Sequence, residues 1–104
     1  MSILAIIATT STLIAQADEV GLAYVDCMFT TARTSPAELA SNELSILLRE
    51  SCVDERGALR TLVIEIRQQQ GISARQAELD WSRVESDSIN SILRARRGRI
   101  ARSG

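Results

Sequence analysis

The spacing of apolar residues along the chain predicts helices. In residues 18–32, apolar side chains recur three and four residues apart, as on one face of a helix. A second helix is predicted from Ser35 to Cys52, because Ser35 and Glu38 have capping-box spacing and Pro36 suits the first helical position. The inward face of the first helix is expected to consist of Val20, Ala23, Tyr24, Cys27 and Met28.

Two further helices are predicted in the second half of the chain. The polar residues 54–57 predict a break or kink before the third helix, and Gly71 is placed to end it. Residues 62–66 could also form a short strand, but no other segment offers a partner strand. Ser73 predicts the start of a fourth helix that ends near Gly98. Its expected inward face is Ala77, Trp81, Val84, Ser88 and Ile92, with Ile89 and Leu93 beside it.

Residues 1–17 are typical of an export signal. An apolar run at residues 3–8 precedes an A-x-A cleavage pattern at residues 15–17. The alternative is a retained N-terminal helix, since no basic residue precedes the apolar run, and a membrane span would need about 20 apolar residues. The expected organisation is a signal peptide, a helical domain at 18–98 and a basic tail at 99–104.

Composition supports a small helical fold. The chain has 104 residues, of which 45% are hydrophobic, with one proline and one residue each of Trp, Tyr and Phe. An aliphatic core favours packed helices over a sandwich of strands. The predicted fold class is therefore all-α, a bundle of three to four helices with one disulfide, preceded by a signal-peptide helix. Trp81 is expected to pack near Tyr24 or Phe29, and ligand stacking is the alternative.

Cys27 and Cys52 are the only cysteines. They are too far apart in sequence for a redox Cys-x-x-Cys motif, and a chain without histidine lacks the usual zinc ligands. In an exported protein we expect a disulfide, worth about 3.5 kcal/mol by loop-closure entropy, whereas in the cytosol both would be buried thiols. Bonded cysteines need Cα atoms within about 7 Å. The first helix should therefore end near Thr30, with residues 31–34 extended, or the two helices should cross steeply.

Charge and residue types limit the chemistry. The net charge of −1 gives no global field for nucleic acid. Without histidine, Ser-His and Cys-His catalysis are excluded, so we predict no enzyme activity, no cofactor and no metal site. No acid follows Asp87, and the chain then carries five candidate anion-binding residues, Arg94, Arg96, Arg97, Arg99 and Arg102. The alternative is a helix C-terminus where arginines favour the dipole.

The signal, a first helix with one cysteine, the second cysteine within Glu50-Ser51-Cys52, and Gly71 before a last helix resemble small uncharacterised exported helical proteins of GC-rich Gram-negative bacteria. This resemblance implies a periplasmic, disulfide-bonded, all-helical protein. The expected function is a non-catalytic binding, inhibitory or accessory module for a periplasmic protein or an anionic envelope surface. A homodimer is expected if an apolar stripe stays exposed on the first or fourth helix. The alternative is a cytosolic helix-turn-helix nucleic-acid-binding regulator, built from residues 59–97, with an uncleaved N-terminus and reduced cysteines.

Overall fold

The chain folds into four α-helices in the computed structural model, which describes the backbone of residues 3–103 and the side chains of residues 11–99. The helices are α1 (Ile3–Thr34), α2 (Ser41–Ser51), α3 (Val53–Gln69) and α4 (Ala74–Ser103). These described residues contain no strand, so residues 62–66 belong to a helix. The predicted all-α bundle is confirmed.

Helix α1 is longer than the helix predicted for residues 18–32. It begins at Ile3 and therefore runs through the predicted cleavage point. At its other end, the Thr34 hydroxyl donates to the carbonyl of Thr30 at 2.9 Å. A threonine hydroxyl can make such a bond to the carbonyl four residues earlier while its backbone stays helical. Helix α1 ends just before Pro36, because a proline disfavours helical geometry in the residue that precedes it. The predicted end near Thr30 is wrong.

The predicted start of the second helix is also wrong, because residues 35–40 are not helical. The Ser35 hydroxyl donates to the carbonyl of Ala32 at 2.7 Å and so closes α1 instead of capping α2. Helix α2 begins only at Ser41. A serine hydroxyl can bond to a carbonyl behind it as well as to an amide ahead of it, so capping-box spacing alone does not fix which helix it serves.

Cys27 and Cys52 lie at disulfide distance, with their Cα atoms 6.0 Å apart. At 1.5 Å per residue, Cys27 lies about 10 Å before the end of α1 and Cys52 about 17 Å beyond the start of α2. The non-helical residues 35–40 take up this difference. The predicted extended segment at residues 31–34 is therefore wrong, because these residues are helical and belong to α1.

The break between α2 and α3 falls at Cys52 and not at the predicted polar residues 54–57. Cys52 has φ −111° and ψ 31°, which lie outside helical geometry. Asp54 and Glu55 lie in the first turn of α3, where the positive end of the helix dipole stabilises acidic side chains. The polar residues 54–56 form the first turn of α3, and Gly57 lies within the same helix.

The turn between α3 and α4 agrees with the sequence prediction. Gly71 adopts the left-handed region, with φ 85°, and closes α3. The Ser73 hydroxyl accepts a hydrogen bond from the amide of Gln76 at 3.2 Å and caps α4. The predicted end of α4 at Gly98 is wrong, because the helix continues to Ser103.

The core lies where all four helices meet and is mainly aliphatic. The Tyr24 and Trp81 ring centroids are 6.5 Å apart, which confirms their predicted packing. On α4 the observed inward face differs from the predicted one at one turn. Val84 is 38% exposed, and Glu85 is buried in its place. The largest fully buried side chains are those of Tyr24, Met28, Leu44, Leu48, Ile92 and Cys52.

Candidate functional site

Arg96 stands apart from the other arginines near the end of α4. Its side chain is buried, with 7% of the residue exposed. Its guanidinium donates hydrogen bonds at 2.7, 3.0 and 2.9 Å to three backbone carbonyls, those of Pro36, Ala37 and Leu39. Charge-assisted bonds of this kind are about twice as strong as neutral ones. Arg96 therefore fastens the connection between α1 and α2 onto α4.

The other predicted anion-binding residues lie on the surface or beyond the described side chains. Arg94, Arg97 and Arg99 are exposed, and a guanidinium nitrogen of Arg94 donates to the Ser91 hydroxyl at 3.4 Å. The side chain of Arg102 lies outside the described residues. Among the described side chains, Arg96 and Arg99 line the same groove, and anion binding remains a prediction for Arg94, Arg97, Arg99 and Arg102.

The two cysteines join the middle of α1 to the point where α2 ends and α3 begins. Cys52 is fully buried and Cys27 is half-buried. Neither cysteine is free among the described residues. The position of this pair makes it a structural link between three helices.

A buried carboxylate, which the sequence pattern missed, lies beside this link. The side chain of Glu85 is only 12% exposed. It accepts hydrogen bonds from Nε of Arg49 at 3.4 Å and from Nε of Arg56. One residue of α4 thereby binds one residue each of α2 and α3. Hydrogen bonding to Glu85 raises the pKa of Arg56, although burial partly opposes this shift.

Two aromatic side chains extend the Glu85 cluster. The guanidinium carbon of Arg56 lies 6.0 Å from the Trp81 ring centroid, within cation–π range. The Tyr24 hydroxyl is buried and finds no hydrogen-bond partner among the described residues. Burial, reinforced by the charge of Glu85, raises the pKa of Tyr24 against the opposing effect of the two arginines. Because the carboxylate is already paired with two guanidinium groups, this cluster serves to hold the helices together.

The sequence contains a signal for Glu85. It lies four residues after Trp81 and four before Ile89, both of which are buried, so it occupies the same helix face. The predicted inward face instead included Val84 and Ser88, because an acidic residue counts as polar in a hydrophobic pattern. The face would have included Glu85 if this residue had been considered together with the arginines of α2 and α3 as ion-pair partners.

A different surface follows the seam between α1 and α4, where two open grooves adjoin. Leu22 and Val25 of α1 line one groove with Val84 and Ser88 of α4, and Phe29 lines the other with Ala95. We call these six residues the α1–α4 face. Val25 and Phe29 lie one helical turn apart, which makes the two grooves neighbours. Leu59 and Tyr24, both buried, lie at the bottom of the first groove.

Large apolar side chains are exposed along the α1–α4 face. Leu22 is 73% exposed, Phe29 40% and Val84 38%. Isolated surface hydrophobics are common, but apolar side chains that line a continuous groove mark interaction sites. The predicted inward face of the first helix contained neither Leu22 nor Phe29, which lie beside it and widen the apolar stripe outward.

The described residues offer little for other kinds of site. No group of three or more His, Cys, Asp or Glu side chains in them is arranged to hold a metal ion. Among the described residues, no helix combines the length and apolarity that crossing a bilayer requires. The α1–α4 face is therefore the candidate functional site.

No family model, curated protein or solved structure matches this chain.

Proposed function

We propose that the chain is a small, exported, non-catalytic binding module that acts in the periplasm through its α1–α4 face. The observation that carries this proposal is the alignment of exposed Leu22, Phe29 and Val84 along two adjoining grooves. Leaving apolar surface in water costs roughly 25 cal/mol per Å² relative to burying it. A partner that covers these grooves would recover this free energy.

The fold supports this role because the groups that close the bundle are not among the six residues of this face, although Arg96 also lines the Phe29 groove. Glu85 binds α2 and α3 to α4, Arg96 holds the connection before α2, and Cys52 links to α1. None of these residues belongs to the α1–α4 face. Substitutions on the face should therefore alter binding without unfolding the chain.

The burial pattern of α1 is compatible with export and cleavage after Ala17. Between residues 11 and 16, only Leu13 is partly buried. Packing against the core begins at Ala17 and Val20. Of the described side chains in residues 11–17, cleavage would remove only two that are partly buried, Leu13 and Ala17. An oxidising compartment would maintain the Cys27–Cys52 pair.

The export part of the proposal is tested by the mass of the protein from its native host. We expect the periplasmic fraction to contain a chain without residues 1–17 and lighter by two further hydrogens, from the disulfide. The matched control is Ala15→Arg, which places a large charge at an exposed position of the cleavage motif and should prevent cleavage. A full-length chain with free thiols in the cytosol would contradict export and favour the helix-turn-helix regulator.

The binding part is tested with a fluorescent dye that reports exposed apolar surface, such as anilinonaphthalene sulfonate. The dye should bind the dilute folded chain, and Leu22→Asp should remove most of this binding. Ile46→Asp is the matched control, because Ile46 is 53% exposed on α2, away from the face. If Ile46→Asp removes the dye signal and Leu22→Asp leaves it, the binding surface lies elsewhere.

A further inference from the structure

Charge is distributed unevenly along the α1–α4 face, and this suggests its occupant. Asp18 lines the groove at the N-terminal side of the face, and Glu19 follows it. Arg33 and Arg99 line the groove at the opposite side. The face therefore has an acidic end, an apolar centre and a basic end.

This order of charges is complementary to itself when one copy is turned end over end. We propose that the α1–α4 face binds a second copy of this chain in an antiparallel, two-fold symmetric dimer. The inference rests on the proposed function of this face and names its partner. In a two-fold dimer each copy contributes the same patch, so a face with opposite ends of opposite charge satisfies both contacts at once.

The register follows from positions along α1. If the two-fold axis passes between Val25 and Asp26, Leu22 of one copy lies opposite Phe29 of the other. The same arrangement brings Asp18 of one copy opposite Arg33 of the other. Within one α1, these residues lie about 22 Å apart at 1.5 Å per residue, with the axis midway between them. Apolar contacts then fall at the centre and ion pairs at the rim, as in ordinary protein interfaces.

The side chains of α4 allow this approach. Ser88 and Ala95 are small, so the grooves beside them stay open to the Leu22 and Phe29 side chains of the second copy. A face about 22 Å long and two helices wide covers about 450 Å² per copy, close to the low end for specific interfaces. We therefore expect a weak dimer, with a dissociation constant on the order of 10 µM.

Cleavage after Ala17 does not reverse the charge pattern. The new α-amino group would lie at Asp18 and carry about one positive charge at neutral pH. Asp18 and Glu19 together still leave this end net negative. The dimer is therefore expected for both the full and the processed chain.

The test measures self-association of the full chain by sedimentation velocity over a range of concentrations. Arg33→Glu and Asp18→Arg should each weaken the dimer at least about tenfold, because each sets like charges opposite one another. The double variant should associate within about threefold of the parent, because it restores opposite charges. Arg97→Glu is the matched control: it changes the same charge on an exposed residue outside the face.

A third substitution tests the position of the axis. Asp26 is exposed and would lie close to its own copy across the two-fold axis, which costs binding energy through like-charge repulsion. Asp26→Asn should therefore tighten the dimer by about two- to threefold. A chain that stays monomeric at all concentrations while Leu22 still governs dye binding would overturn the dimer but leave the proposed binding face intact. A monomeric chain whose dye binding also does not depend on Leu22 would overturn the proposed function as well.

Discussion

The two sides of this bundle are closed in different ways. On one side, around α2 and α3, a cysteine link joins these helices to α1. There a buried carboxylate with two arginines joins them to α4, and a buried arginine binds the connection before α2 to α4. Along the seam of α1 and α4, apolar side chains such as Leu22 stay in contact with water. The first side uses covalent and polar contacts, and the second leaves open grooves.

This difference separates stability from binding. A small domain has a net stability of only about 5–15 kcal/mol, so each fastening on the closed side should contribute a measurable share. The open side contributes less to the folded monomer, since Leu22, Phe29 and Val84 keep 73%, 40% and 38% of their surface exposed. Substitutions on the two sides should therefore affect different measurements.

The largest effect is expected at the cysteine link. Replacing both cysteines by alanine, Cys27→Ala with Cys52→Ala, should lower the free energy of unfolding by about 3.5 kcal/mol, because the unfolded chain regains loop entropy. Urea denaturation of the variant and of the oxidised parent measures this. A difference below about 1 kcal/mol would mean that the polar contacts alone close this side.

The next largest effect is expected for Glu85→Ala. It should lower the free energy of unfolding by about 3 kcal/mol, because it leaves two arginines without their partly buried carboxylate. Glu50→Ala removes an exposed carboxylate of α2 and should change stability by less than about 0.5 kcal/mol. Both values come from urea denaturation. Equal effects of the two substitutions would show that the Glu85 cluster does not hold α2 and α3 to α4.

Arg96→Ala should lower the free energy of unfolding by about 2 kcal/mol, because three carbonyls lose a charged hydrogen-bond donor. The control Arg97→Ala changes an exposed residue on the same helix and should stay within about 0.5 kcal/mol. Arg96→Lys should recover only part of the loss, since lysine lacks the planar fork that reaches several acceptors. Full recovery by lysine would indicate that charge alone matters here.

Tyr24 gives a smaller effect that depends on pH. The folded chain raises the pKa of Tyr24, so stability is complete below about pH 10 and is lost as pH rises through the folded pKa. The chain has no lysine or histidine and one tyrosine, which makes this loss easy to assign. Tyr24→Phe should abolish the alkaline loss and, by removing an unpartnered hydroxyl, should raise stability near pH 7 by about 1 kcal/mol. An unchanged alkaline loss would contradict the assignment.

Much of the fold could be predicted from local patterns. The helical spacing, the left-handed Gly71 and the Ser73 cap are local signals, and each is confirmed. The start at Ser35 failed because its hydroxyl serves the helix behind it. The predicted break at residues 54–57 failed because the break falls at Cys52, where the chain is linked to the distant residue Cys27.

The candidate site was harder to predict than the fold. Glu85 is buried because Arg49 and Arg56 arrive from other helices, and this requires the tertiary arrangement. Likewise, Val84 was predicted to be in the core, but its burial depends on how closely α4 approaches α1. Sequence periodicity identifies an apolar face, whereas only packing decides which part of it stays open.

The most direct test of the separation between the two sides is Leu22→Asp, measured both for stability at low concentration and for self-association. We predict that the free energy of unfolding of the monomer changes by less than about 1 kcal/mol, because Leu22 is 73% exposed. Self-association should weaken at least about tenfold, because a charge enters the apolar centre of the interface. A loss of more than about 2 kcal/mol with unchanged association would contradict this account, because it would make Leu22 part of the core.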